Sequence, residues 1–294
     1  MNLYSPAEVK ALREKHGFKN SKSLGQNFIT DRNTIEKIIE GAEISENDLV
    51  IEIGPGMGVL TRAAAEAGKK VIAIEIDSGL LPVLNETLED FDNVEIINAD
   101  ILKTDLNEII EKNRVVDGVS IENVRIIGNL PYYITTPIIM KILEDDVRAD
   151  SITAMMQKEV AERIVSDCGS RTYGAVSVAA QYYCEIENVC TVSRNVFLPP
   201  PKVDSAVLRF RIRNEKPVHL ESEKAFFNCI KAAFGQRRKT LENSLSGTLG
   251  KDKETIRKVL EGAGIEAARR AETLSIEEFA DLANEMVKEK IFQG

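Results

Sequence analysis

The tetrapeptide Asn129-Leu130-Pro131-Tyr132 follows an apolar run that begins at Val124. As punctuation, Asn and Pro read as an ordinary turn after a strand. As chemistry, the same four residues suit a planar ring that carries an exocyclic amine. Such an amine is a weak nucleophile because its lone pair is delocalised into the ring. Acceptors aimed at its hydrogens, the Asn129 side-chain oxygen and the Leu130 carbonyl, would favour a tetrahedral nitrogen as it attacks. Pro131 fixes the direction of that carbonyl, and Tyr132 offers a face for stacking. Phe197, just ahead of three prolines, is the candidate for the second face of the ring. A base held this way must be flipped out or already unpaired.

A second set of residues is organised around "EIGPGMG", Glu52 to Gly58. Gly54, Gly56 and Gly58 stand where a strand turns into a helix, so backbone can approach a ligand closely. Alone, such a loop also fits a dinucleotide, and a nicotinamide-dependent oxidoreductase is one rival reading. The acids shift the balance. Glu75 ends the next strand, placed for a ribose diol, and Asp100 ends the one after, placed for an adenine amino group. Glu52 precedes the loop, and no phosphate-binding lysine follows it. Acids after two successive strands suit a nucleoside that carries a positive charge and no phosphate, and S-adenosylmethionine is that ligand.

These groups need a scaffold. Short Ile/Val-rich runs at 48–54, 70–77, 94–100 and 124–130, with a weaker one at 151–157, alternate with helical stretches such as 60–67 and 80–88. That alternation predicts a parallel sheet with helices on both faces and a ligand crevice beyond the strands' carboxyl ends. Two later runs, 184–192 and 205–213, are joined by "FLPPPKVD", too proline-rich for a helix, and predict an antiparallel strand pair closing one sheet edge. Beyond Asn214 only helical patterns remain. One of them starts with Ser275 as N-cap and Glu278 three residues on. The expected division is therefore 1–213 and 214–294.

The 294 residues, 43% hydrophobic and 29% charged, describe a globular chain with a full core. No apolar run reaches transmembrane length and the start lacks a signal-peptide core, so the expectations are a cytoplasmic location and no membrane partner. Four scattered cysteines and two distant histidines give neither a disulfide framework nor a metal site, and reduced, buried cysteines are expected. The net charge of -9 hides a band from Thr191 to Thr240 with eleven basic and four acidic residues. Elsewhere 27 basic residues face 43 acidic ones, a net -16. An acidic body with a basic band could bind a polyanion locally.

Six blocks now stand in order along almost the whole chain: "SKSLGQNF" (21–28), "EIGPGMG", "NLPYYITTP", "MMQKEVAERI" (155–164), "VFLPPPKVDSAV" (196–207) and "FGQRRKTL" (234–241). Together they resemble the small-subunit ribosomal RNA adenine N6,N6-dimethyltransferases, the kasugamycin-sensitivity methyltransferases. "SDCGSRTYG" (166–174) departs from the Pro-Gly-Ser-Lys-like start of the family's loop, which bears on RNA contacts there. The resemblance implies a Rossmann-like S-adenosylmethionine-dependent methyltransferase domain, with residues 1–30 lying over the cofactor, and a small all-α C-terminal domain. It implies Asn27, Ile29, Gly54, Glu75, Asp100, Ile101 and Asn129 as cofactor contacts. It also implies Arg237, Arg238 and Lys239 near rRNA phosphates; alone, their segment reads as an exposed basic turn after a helix end. The implied substrate is two adjacent adenosines in the 3′-terminal hairpin loop of 16S rRNA, each methylated twice, within the small (30S) subunit. A monomer and a role in subunit biogenesis are expected. Two alternatives stay open: a 23S rRNA adenine methyltransferase of the macrolide-resistance class, and an assembly factor with secondary methylation.

Overall fold

A computed structural model describes residues 2–18 and 24–292. Seven strands form the main sheet: β1 (Leu49–Ile53), β2 (Lys70–Glu75), β3 (Val94–Asn98), β4 (Val124–Asn129), β5 (Ser151–Gln157), β6 (Cys184–Val192) and β7 (Ser205–Ile212). Their order is β3-β2-β1-β4-β5-β7-β6. The first five strands are parallel to one another. β7 runs antiparallel to β5, with Ser205 opposite Gln157. This is the expected mostly parallel Rossmann-like sheet, with β7 and β6 at one edge.

The sequence explains why each strand sits where it does. Every residue of β1 is buried, as a central parallel strand covered on both faces requires. β5, the weakest of the expected strands, is buried at all but Gln157, so its small residues mark a crowded interior rather than a poor strand. β3, at the opposite edge, alternates exposed and half-buried residues. Between strands run α1 (Pro6–Lys15), α2 (Arg32–Ala42), α3 (Val59–Ala67), α4 (Leu81–Thr87), α5 (Leu106–Lys112), α6 (Thr135–Glu144) and α7 (Lys158–Ile164), the first two preceding the sheet. Neither α1 nor a two-residue ribbon pairing Phe28–Ile29 with Phe197–Leu198 was expected from the sequence pattern.

The chain divides into two compact units, Met1–Ala161 with Glu185–Ile212, and Glu162–Cys184 with Arg213–Gly294. The break after Ile212 falls next to the expected one, but residues 162–184 cluster with the helices and not with the sheet. The second unit holds α8 (Ala175–Tyr183), α9 (Glu223–Phe234), α10 (Leu241–Leu249), α11 (Lys253–Gly262) and α12 (Ile276–Lys288). Aromatic packing draws the early segment in: the Tyr182 ring lies 5.1 Å from Phe226 and 5.6 Å from Phe227 on α9. Tyr173 meets Phe234 edge-on at 6.1 Å. α12 opens with the reciprocal Ser275–Glu278 capping box.

The cysteine expectation holds only in part, since Cys184 and Cys229 are buried but Cys168 is exposed. Among the described residues no helix is long and apolar enough to cross a membrane.

Candidate functional site

The chain leaves β1 through Gly54, Gly56 and Gly58, with φ of +71°, +61° and +84°, before α3 begins. These angles exclude most side chains. At Gly56 a Cβ would also stand 3.0 Å from the Phe28 ring. The Gly54 amide donates to the Ile74 carbonyl at 3.0 Å, tying the loop to β2. Glu75, at the end of β2, then receives the Gly56 amide on Oε2 at 3.3 Å and the Asp77 amide on Oε1 at 2.9 Å. Burial pushes the Glu75 carboxyl upward, against the pull of these backbone donors. Asp100 caps its own short turn, accepting from the Leu102 amide at 3.0 Å, and the turn buries Ile101.

β4 delivers the second set. Gly128 is required by its neighbour, because a Cβ there would stand 2.7 Å from the Ile53 carbonyl oxygen of β1. The next residue, Asn129, donates from Nδ2 to the Asn27 carbonyl at 3.0 Å. A carbonyl oxygen can only accept, so this bond assigns the amide orientation and turns Oδ1 the other way. Thr135 Oγ1 and the Ile134 amide both donate to the Pro131 carbonyl, at 2.9 and 3.1 Å. The Tyr132 hydroxyl shares a 2.6 Å hydrogen bond with Ser205 Oγ, which pins the ring to the start of β7.

One cavity collects these residues. Asn27, Ile29, Gly54, Glu75, Asp100, Ile101, Asn129, Leu130, Pro131 and Tyr132 all line it. Its charge is informative: among the described lining residues are three carboxylates, Glu52, Glu75 and Asp100, and no Lys, Arg or His. A pocket of that kind repels a pyrophosphate and accepts a cation. The glycine cradle, the acid at the end of β2 and the absent positive charge together fit S-adenosylmethionine.

Phe197 does not join them. It is 4% exposed, paired with Ile29 in the short ribbon, and belongs to the core cluster with Phe28 and Val192. An aromatic ring on a ribbon strand gains from that apolar packing, and of the pair expected to flank the base only Tyr132 is among the described lining residues. Arg237, Arg238 and Lys239 are exposed on the turn between α9 and α10 in the second unit. Arg237 Nη2 donates to the carbonyls of Arg171 and Tyr173. Residues 21–23 of the "SKSLGQNF" block, and 19–23 of the segment expected over the cofactor, lie outside the described residues.

Three lining residues had no assigned role. Glu52 is an acid inside the apolar run "DLVIEIG", a mismatch that signals function; it is 1% exposed and its Oε2 has no hydrogen-bond partner. Ile76 is 52% exposed directly after Glu75, and Tyr133 is 56% exposed beside Tyr132. Neither gave a signal beyond its position next to a chosen residue.

Residues 17–288 match the family described as ribosomal RNA adenine dimethylase. The chain belongs to that family. This adenine dimethylase is accordingly a methyltransferase acting on ribosomal RNA. It is 49% identical over 282 residues to the ribosomal RNA small subunit methyltransferase A of Clostridioides difficile, covering 96% of each chain. Against the protein of that name from Bacillus cytotoxicus the identity is 47% over 293 residues, 99% of each. Among solved structures it is similar to a dimethyladenosine transferase from Plasmodium falciparum, at TM-score 0.74 and 26% identity, covering 89% of this dimethylase and 98% of that chain. It is also similar to the 23S rRNA methyltransferase ErmE, at TM-score 0.64 and 28% identity, covering 88% and 98%.

Proposed function

We propose that this dimethylase uses S-adenosylmethionine to methylate N6 of two adjacent adenosines, twice each, in the 3′-terminal hairpin loop of 16S rRNA. It does so on small (30S) subunits in the cytoplasm, as a monomer, and contributes to their biogenesis. The cofactor supplies an electrophilic methyl group on a positively charged sulfur. Glu75 takes the ribose hydroxyls, Asp100 the adenine amino group and Ile101 the adenine face, with Asn27, Ile29 and Gly54 completing the walls. Asn129 Oδ1 and the Leu130 carbonyl accept hydrogen bonds from the target N6. They stabilise the nitrogen as it turns tetrahedral, without a base of shifted pKa. Tyr132, fixed through its hydroxyl, is the platform on which the unpaired base stacks. Arg237, Arg238 and Lys239 neutralise rRNA phosphates.

The observation that carries this reading is the orientation of the Asn129 amide. The Asn27 carbonyl occupies its donor, so Oδ1 is the atom left for an incoming amine. The choice of the small subunit rests on the names of the relatives that match end to end. The likeness to a 23S rRNA methyltransferase supplies the competing target.

The test is methyl-labelled S-adenosylmethionine with small subunits that lack the modification, beside large subunits and naked DNA, followed by nucleoside analysis. N6,N6-dimethyladenosine in the small-subunit RNA alone is the expected result. Label in large-subunit RNA overturns the target. A Glu75→Ala variant separates the two roles: it should lose cofactor binding, and full rescue of subunit assembly by it would make binding, not methylation, the primary task.

A further inference from the structure

Glu52 is a buried carboxylate that the reaction as described does not use. It stands on β1 two residues before the first loop glycine, lines the cavity, and is 1% exposed. Its Oε2 has no hydrogen-bond partner. Buried carboxylates normally recruit donors, because an unpaired charge in a dry site is costly. Here one of the two oxygens has recruited none.

The groups around it explain why. Ala73 and Ile127 stand opposite it in the flanking strands and offer no polar side chain. From α3 comes Thr61, whose Oγ1 is itself buried without a partner, so the two oxygens are neighbours that stop short of a hydrogen bond. From β2 comes Glu75, another acid, and Asp100 lines the same cavity. Gln26 and Asn27 line it from the N-terminal segment and carry no charge. Burial, against a pull from Thr61 and with a smaller push from Glu75, raises Glu52 to about 8, which keeps it protonated at neutral pH.

We propose that Glu52 is the specificity residue by which this site favours a cationic methyl donor over its neutral thioether product. The inference rests on the reading of S-adenosylmethionine as cofactor. A positive charge entering the cavity supplies the counter-charge that the protein withholds; Glu52 then ionises and gives its proton to solvent. S-adenosylhomocysteine lacks the sulfonium, the one charge by which the two ligands differ, and so favours the protonated acid more. Donor and product share nearly every other contact, so discrimination between them must come from the one feature that differs. Transfer of the methyl group therefore removes the charge that kept Glu52 ionised, and re-protonation favours product release. The sign follows: donor affinity rises with pH up to about 8 and levels off above it, while product affinity follows only the titrations common to both ligands.

Calorimetric titrations of the full chain with S-adenosylmethionine and with S-adenosylhomocysteine test this, in buffer pairs of different ionisation enthalpy from pH 6 to pH 9. Near pH 7 the wild type should release about one proton more with the donor than with the product, and the donor-to-product affinity ratio should rise about 50-fold from pH 6 to pH 8. Both ligands carry an α-amino group, which the sulfonium makes more acidic in the donor, so Glu52→Gln supplies the baseline for its titration. That variant, isosteric with the protonated acid, should lose the extra proton released with the donor and the rise in the ratio that goes with it. A donor–product difference in proton release that is the same in wild type and Glu52→Gln overturns the proposal, as does a pH dependence of the ratio that the variant leaves unchanged. If that variant does not fold, the wild-type proton counts decide alone. If the wild type binds neither ligand, it is the cofactor reading that falls, and the role of Glu52 with it.

Discussion

Asp48 and Glu52 lie four residues apart, at opposite ends of the same buried strand, and both are almost completely shielded from solvent. Asp48 has three donors: the Asn123 amide at 2.8 Å, the Ser45 backbone at 3.0 Å and Arg125 Nε at 3.2 Å. Burial pushes its carboxyl up, but the donors outweigh burial and hold it below the usual range. Glu52 is buried still more deeply, has no backbone or cationic donor, and is pushed up to about 8 against the weaker pull of Thr61. One end of the sheet is finished by the protein itself. The other is left for a ligand to finish. In an α/β sheet the carboxyl end is where loops leave room for binding, and the incomplete polar groups are found there.

The largest effect should come from the finished end. Arg125→Ala strips Asp48 of its cation and should cost about 3–5 kcal/mol of stability, read by denaturant unfolding, while the folded fraction keeps normal turnover. Acid unfolding should also begin at higher pH. Asp48 stabilises the fold above its unfolded pKa, and that contribution is lost as pH falls through the depressed folded value, which the variant raises. At the unfinished end, Asn129→Ala should do the opposite. It should reduce kcat by about 10²–10³-fold with little change in melting temperature. A stability loss as large as that of Arg125→Ala would erase the contrast between the two ends. Tyr132→Ala should cost about 1–3 kcal/mol in RNA substrate engagement, with S-adenosylmethionine affinity unchanged in direct titration. Smallest are the surface charges of the helical unit. Replacing Arg237 or Lys239 by Ala should lower the slope of subunit affinity against salt by about one each, without changing kcat. A slope that stays unaltered removes them from the interface.

The sheet was legible because β1, β2 and β4 are short apolar runs bounded by turn residues, and such runs admit few alternatives. The glycine loop and its acids were legible because a positive-φ turn demands glycine. The burial of Phe197 was not legible for a physical reason: proximity in sequence to a proline turn says nothing about which side of a ribbon a ring will bury. Glu52 was visible as an acid in an apolar strand, but its meaning depends on the absence of donors around it, and an absence has no sequence signature. Residues 162–184 were assigned to the wrong unit because the aromatic contacts of Tyr173 and Tyr182 are long-range and follow no local period.

The hydrogen bond from Asn129 to the Asn27 carbonyl carries one more consequence. A carboxamide is nearly symmetric in shape, so the same pocket could hold it either way round, presenting an acceptor in one case and a donor in the other. Only the first can receive an amine. The Asn27 carbonyl resolves this two-fold ambiguity within the fold itself, so a role for Oδ1 as acceptor would require no turning of the amide. A residue of the N-terminal segment thereby fixes the sense of an amide 102 positions further along the chain.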